Sequence, residues 1–180
     1  MLIPPHDLKE TADKYLEIWD DICKELNIPH LLINGTSLGF YRDGGYIEKD
    51  NDVDVRLICN KEKWEQFKKI FINRTKARTN HPSGTSYIWG VPGGHLLFCI
   101  ERSPVVGIAI HDTGKEILVP KYYNKFDTID HNGRKYNIPS PIEEYLEVRY
   151  GPNWKTPNPK WAKRIGQYHR LTLNEKYLGN

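Results

Sequence analysis

This 180-residue chain contains no run approaching the roughly 20 consecutive apolar residues that a membrane-spanning helix needs, so no integral membrane segment is expected. Cysteine is scarce. Cys23, Cys59 and Cys99 are far apart, odd in number and without any C-x-x-C spacing, which argues against a disulfide framework or a zinc site. Cys23 falls on an apolar helical face and Cys99 inside an apolar strand, so both read as buried structural thiols. An excess of one charge is missing too: 26 Lys and Arg face 23 Asp and Glu, for a formal net charge of +3, too even to mark a nucleic-acid partner. Walker motif, Ser-His-Asp order, internal repeat and low-complexity tract are all absent. The opening Met1-Leu2-Ile3-Pro4-Pro5 is too short for a signal peptide, so the expected location is cytoplasmic.

What the chain does have is concentrated between Leu32 and Leu57. Asp50, Asp52 and Asp54 recur at alternate positions, and from Asp52 onward acid and apolar residues alternate. Alternate residues of a strand share a face, so the three carboxylates would project together while Val53 and Val55 face a core. Grouped acids repel unless a cation lies among them, and hard oxygen ligands suit Mg2+ or Mn2+. The competing explanation for D-x-D is a charged edge strand that resists aggregation. Just upstream, Leu31 to Ile33 reads as a short buried strand, and Gly35-Thr36-Ser37 then turns into a short helix through Leu38, Phe40 and Tyr41. Free N–H groups and a hydroxyl at a helix start can hold phosphate; an ordinary capped helix is the alternative.

The run Gly35-Thr36-Ser37-Leu38-Gly39-Phe40-Tyr41-Arg42, then Gly45-Tyr46-Ile47, then Asp50-Asn51-Asp52-Val53-Asp54-Val55 resembles, without a gap, the signature of the LicD and fukutin family of the nucleotidyltransferase superfamily. Glu48-Lys49 replaces that family's usual Pro-Trp pair, and Asn51 stands where a further acid is frequent. A second stretch, Ile138-Pro139-Ser140-Pro141, Tyr145-Leu146 and Tyr150-Gly151-Pro152-Asn153-Trp154 with Pro157 beyond, resembles the family's later motif in the expected order. Together the matches run from Leu31 to Trp161, leaving a basic, polar tail at 162–180. The resemblance implies an α+β fold, with a nucleotidyltransferase-like mixed or antiparallel sheet flanked by helices, and the length suits one domain over 1–180.

Other elements follow from periodicity. Leu8 to Leu26 carries an apolar stripe at helical spacing, stopped by Asn27-Ile28-Pro29. Asn60 caps a helix from Lys61 to Asn73 with Trp64, Phe67, Ile70 and Phe71 inward. Polar Thr75 to Ser83 reads as a loop. Strands are expected at Thr85–Val91, His95–Glu101, Val105–His111 and Glu116–Val119. Asn132-Gly133 marks a hairpin between Phe126–Ile129 and Lys135–Ile138, and Ser140 should cap a last helix with Pro141 in its first turn.

The resemblance further implies catalysis by Asp52 and Asp54 as the principal metal ligands, with Asp50 in support and Mg2+ or Mn2+ as cofactor. Gly35, Thr36 and Ser37 would hold phosphates. Arg42 would pair with a phosphate oxygen, or else form a surface salt bridge to Asp43 or Glu48. The family's third acid aligns with Ala109, leaving Asp112 or Glu101 to replace it. The implied reaction moves a phospho-alcohol, phosphocholine or ribitol phosphate, from a CDP-alcohol donor to a saccharide acceptor. Two other readings share these acids: nucleotidyl transfer from an NTP to a small molecule or protein, and a non-catalytic relative that binds nucleotide or glycan. Trp89, Tyr87, Tyr122, Tyr123, Trp154 and Trp161 could line a sugar or choline pocket, or pack in the core; Trp19 and Trp64 read as core. His30, His95 and His111 read as structural.

Overall fold

The apolar stripe near the N-terminus forms helix α1 (Pro5–Glu25), and its end is set by Asn27, which takes a positive φ of 50° while Ile28 N–H bonds back to the Cys23 carbonyl at 2.8 Å. In the computed structural model, residues 5–48, 50–83, 86–90, 96–103, 122 and 124–157 are described. The chain continues through β1 (His30–Leu32), α2 (Asn34–Asp43), β2 (Asp52–Ile58), α3 (Lys61–Thr75), β3 (Arg78–Ser83), β4 (Ser86–Gly90), β5 (Leu97–Ser103), the β6 (Phe126–His131) and β7 (Arg134–Pro139) hairpin, and α4 (Ile142–Tyr150).

Five strands form one sheet in the order β1-β2-β5-β4-β3. All its pairings are antiparallel except β2 with β5, which run parallel with Val53 beside Phe98, Asp54 beside Cys99 and Val55 beside Ile100. Val53, Val55, Leu57, Phe98 and Ile100 are wholly buried. They face α1 and α3, whose Tyr15 and Phe71 rings both pack on Phe98. Strand alternation then sends Asp52, Asp54 and Cys99 to the opposite face. Trp19 and Trp64 belong to the core, as their positions on the helical stripes require. The Tyr15 hydroxyl donates to the Thr75 carbonyl at 2.8 Å and ties the first helix to the end of the third.

Two expectations change. The polar stretch at 75–83 is not a loop throughout: α3 runs to Thr75, and Arg78–Ser83 is the edge strand β3. Among the described residues β3 pairs on one side only, with β4, and an edge position of that kind tolerates Pro82. The last helix starts one residue later than expected, with Pro141 at the cap position and no side-chain cap of its own. Asp127 does that work instead, accepting from Ser140 Oγ at 2.9 Å and from Ile142 N–H at 3.1 Å. The expected strands at 105–111 and 116–119 lie outside the described residues. The Asn-Gly hairpin forms as expected: Asn132 and Gly133 take φ of 51° and 75°, the pair of positive values that a tight two-residue turn demands.

Candidate active site

β2 leaves the core face with two carboxylates at Asp52 and Asp54, and β5 brings Cys99 alongside Asp54. One ligand atom from each of the three lies within 4.8 Å of the others, and all three are half-buried. Among the described residues no other group of His, Cys, Asp or Glu is so gathered.

The start of α2 closes over this cluster. Ile33 N–H bonds the Asp54 carbonyl at 3.1 Å, continuing the β1–β2 pairing into the turn. Asn34 then takes a positive φ of 45°. Its backbone N–H donates to the Tyr145 hydroxyl at 3.1 Å, while that hydroxyl lies 3.2 Å from Asn34 Oδ1, so α4 clamps the corner. Gly35 N–H donates to Asp54 Oδ2 at 3.2 Å, and Asp54 N–H donates to Thr36 Oγ1 at 2.8 Å. Both carboxylate and backbone of Asp54 are thereby fixed to one helix turn, and negative charge there complements the helix's positive end. The approach at Gly35 is close: a Cβ would sit 3.1 Å from Asp50 Oδ2, which would have to give by a few tenths of an ångström, and 3.5 Å from Asp54 Oδ2.

Asp50 precedes the strand, not within it as the alternation suggested. Its N–H bonds the Ile47 carbonyl at 3.1 Å, and its carboxyl hydrogen-bonds that of Asp52. The loop carrying it rests against Gly39, where a Cβ would meet the Gly45 carbonyl at 2.6 Å and Ile47 N at 3.0 Å. Burial, and after it the Asp50 charge, push the Asp52 carboxyl from its ordinary 3.8 up to about 7. Burial and the neighbouring charge both disfavour the ionised form of Asp52.

The expected site residues divide. Asp50, Asp52, Asp54 and Gly35 come together. Thr36 and Ser37 lie beneath them, both buried, with Thr36 Oγ1 bound to Asp54 N–H and Ser37 Oγ donating to the Asn34 carbonyl at 3.0 Å. Those hydroxyls brace the corner instead of lining an open cradle. Arg42 follows the salt-bridge alternative: it pairs with Asp43 through Nε at 2.7 Å and through its second nitrogen at 2.6 Å, and donates to the Trp154 carbonyl at 3.2 Å. Glu101 is paired in register with Arg56, two residues beyond Cys99 along β5, and Asp112 lies outside the described residues.

Cys99 is the residue that sequence reasoning missed. Expected as a buried structural thiol, it is instead half-buried beside two aspartates, because β5 sets it on the face that Asp54 occupies; Cys23 is buried as expected, and Cys59 is buried too. The signal was its polar slot between Phe98 and Ile100, both wholly buried, in the strand that pairs with β2. The later motif also proves local to the site, since Tyr145 holds Asn34, while the Tyr150 phenol is raised mainly by burial. Tyr122 and Trp154 are buried among core residues, and His30 is buried against Asp20 at 2.9 Å, a structural role as expected. Trp161, His95, His111 and Tyr123 lie outside the described residues.

Two half-buried carboxylates, one of them raised by burial and by the neighbouring Asp50 charge, with a third donor in register, fit a divalent cation by the chemistry of the set. Asp52, Asp54 and Cys99 are the residues that would hold it.

Comparison with known proteins agrees with this architecture. Mouse ribitol-5-phosphate transferase FKTN is 26% identical over 168 residues, covering 85% of this chain, which spans about a third (35%) of that protein's length. The solution structure of the antibiotic-resistance factor ANT(2'')-Ia is similar at a TM-score of 0.54 and 14% identity, over 95% of this chain and 86% of the other. A crystal structure of the same factor with adenylyl-2''-tobramycin gives a TM-score of 0.49 and 18% identity, over 94% and 90%. No helix among the described residues is long and apolar enough to cross a membrane. The family profile described as LicD/FKTN/FKRP, nucleotidyltransferase domain, matches residues 27–139, and with the mixed sheet and the acids of β2 in place the chain belongs to that family.

Proposed function

We propose that this protein is a divalent-metal-dependent transferase that moves a phospho-alcohol, ribitol phosphate or phosphocholine, from a CDP-activated donor to a saccharide hydroxyl. The observation that carries the reading is the gathering of Asp52 and Asp54 beside the α2 corner, with Asp54 bonded to Gly35 N–H. In such a transfer the acceptor oxygen forms a bond to the phosphorus bearing the alcohol, the bond from that phosphorus to the CMP oxygen breaks, CMP leaves and the hydroxyl proton passes to water. Bound Mg2+ or Mn2+ would neutralise the diphosphate and lower the pKa of the acceptor hydroxyl. Asp52 and Asp54 are its principal ligands in this reading, and Asp50 supports them. Gly35 keeps the helix start free of a side chain, so that a phosphate can approach the carboxylates through shared cations. Thr36 and Ser37 act one step back, by holding Asp54 and the Asn34 turn. Because transfer at phosphorus depends mainly on positioning and charge neutralisation, a rigid corner of this kind is what the reaction needs from the protein.

The test incubates the protein with Mg2+ or Mn2+ and, separately, labelled CDP-ribitol, CDP-choline, CDP-glycerol, ATP and CTP with a glycan acceptor. CMP release from a CDP-alcohol with label on the glycan is the expected result. Pyrophosphate release from ATP or CTP would replace this reading by nucleotidyl transfer, and binding without turnover under every condition would make the protein a non-catalytic relative.

A further inference from the structure

Metal preference follows from who the third donor is. β5 runs parallel to β2, and the residue it sets beside Asp54 is Cys99. Neither neighbour competes for that place, because Phe98 and Ile100 are buried on the core face. The Cys99 sulfur and the Asp52 and Asp54 oxygens lie within 4.8 Å of one another, a span that an ion with ligand bonds of about 2.0–2.3 Å bridges after small side-chain rotations. Asp54 is held by Gly35 N–H and by Thr36, and the register of β5 brings the thiol to its side.

We propose that Cys99 ligates the metal through its thiolate, making this a mixed oxygen and sulfur site that favours thiophilic divalent ions over Mg2+. The inference rests on the metal-dependent reading above and names which ion this chain is built to take. Carboxylates alone suit hard cations, while a thiolate shifts a site toward softer ones such as Zn2+. On coordination the Cys99 sulfur loses its proton to solvent and forms the sulfur–metal bond, so binding releases at least the thiol proton. The other two cysteines cannot supply the sulfur, since Cys23 on α1 and Cys59 after β2 are both buried in the hydrophobic core.

The experiment compares the full chain with its Cys99→Ser and Cys99→Asp variants, first verified as folded by circular dichroism. Co2+ is the spectroscopic probe, and calorimetry gives the affinities for Cd2+ and Mn2+. The expected wild-type result is a near-ultraviolet sulfur-to-cobalt charge-transfer band that Cys99→Ser abolishes. The ratio of Cd2+ to Mn2+ affinity should fall at least tenfold in Cys99→Ser, and further in Cys99→Asp, which completes an all-carboxylate site. Co2+ binding without a charge-transfer band, or a ratio unchanged by Cys99→Ser, overturns the thiolate and leaves the carboxylate site standing. Absence of any Co2+, Cd2+ or Mn2+ binding to all three proteins overturns both the thiolate and the metal-dependent reading. Should either variant fail to fold, the band and its loss on alkylation of Cys99 in the wild-type protein, followed by mass spectrometry of the modified peptide, decide the matter alone.

Discussion

Replacing Asp52 with Asn should make the metal-free protein more stable at neutral pH and less able to use a metal. The Asp52 carboxyl is pushed from 3.8 to about 7 by burial and by Asp50. At roughly 1.4 kcal/mol per pKa unit, ionising it costs the fold on the order of 4 kcal/mol before screening. Partial exposure of the side chain discounts this to about 2 kcal/mol. The sign follows from linkage. The pKa is raised in the folded state, so the stability contributed by the protonated acid is fully present below the unfolded value near 4 and is lost as pH rises through about 7. Asn has no proton to lose. Thermal unfolding in chelator should therefore give equal midpoints for the two proteins near pH 4 and a gap that opens toward pH 8, with the variant higher by about 4–8 °C for a chain of this length. Adding Mn2+ at about a hundred times its Kd should then raise the wild type by about 2.7 kcal/mol and the variant by far less, reversing the order. A variant less stable than the wild type at pH 8 in chelator, or a gap that does not change with pH, would refute the reasoning.

Asp54→Asn should abolish turnover with little change in fold, because the Thr36 bond to its backbone survives; retained CMP release would count against the ligand assignment. Gly39→Ala forces a Cβ to within 2.6 Å of the Gly45 carbonyl, so urea unfolding should show a loss of about 1–3 kcal/mol along with weaker metal binding, as the loop holding Asp50 shifts. Tyr145→Phe leaves the Asn34 N–H without its partner, and a stability loss of about 1 kcal/mol with a several-fold drop in metal affinity is expected by calorimetry. Asp127→Ala should cost about 1–2 kcal/mol through the lost cap of α4 and leave metal affinity within twofold of the wild type.

Residue order alone determined the local elements whose cause is local. The stripe of α1, the Asn60 cap of α3 and the Asn132-Gly133 turn each follow from side chains a few positions apart, and all three form as the spacing requires. The acid-apolar alternation of β2 likewise fixed which face Asp52 and Asp54 occupy, since the period of a strand leaves no other choice. The edge strand β3 was illegible because a polar stretch becomes a strand only when β4 offers it a ladder.

Tertiary structure decided what meets the carboxylates. Nothing in the sequence says that β5 runs beside β2, so nothing there singles out Cys99 as the partner of Asp54 over Glu101 or a later acid. Nor does it say that Tyr145, from the far motif, closes on Asn34, or that Arg42 turns to Asp43 and Trp154. Those pairings depend on strand order and on the reach of side chains across about a hundred residues of chain, which a one-dimensional pattern does not encode. The alternation supplied the charge, and the sheet chose its companion.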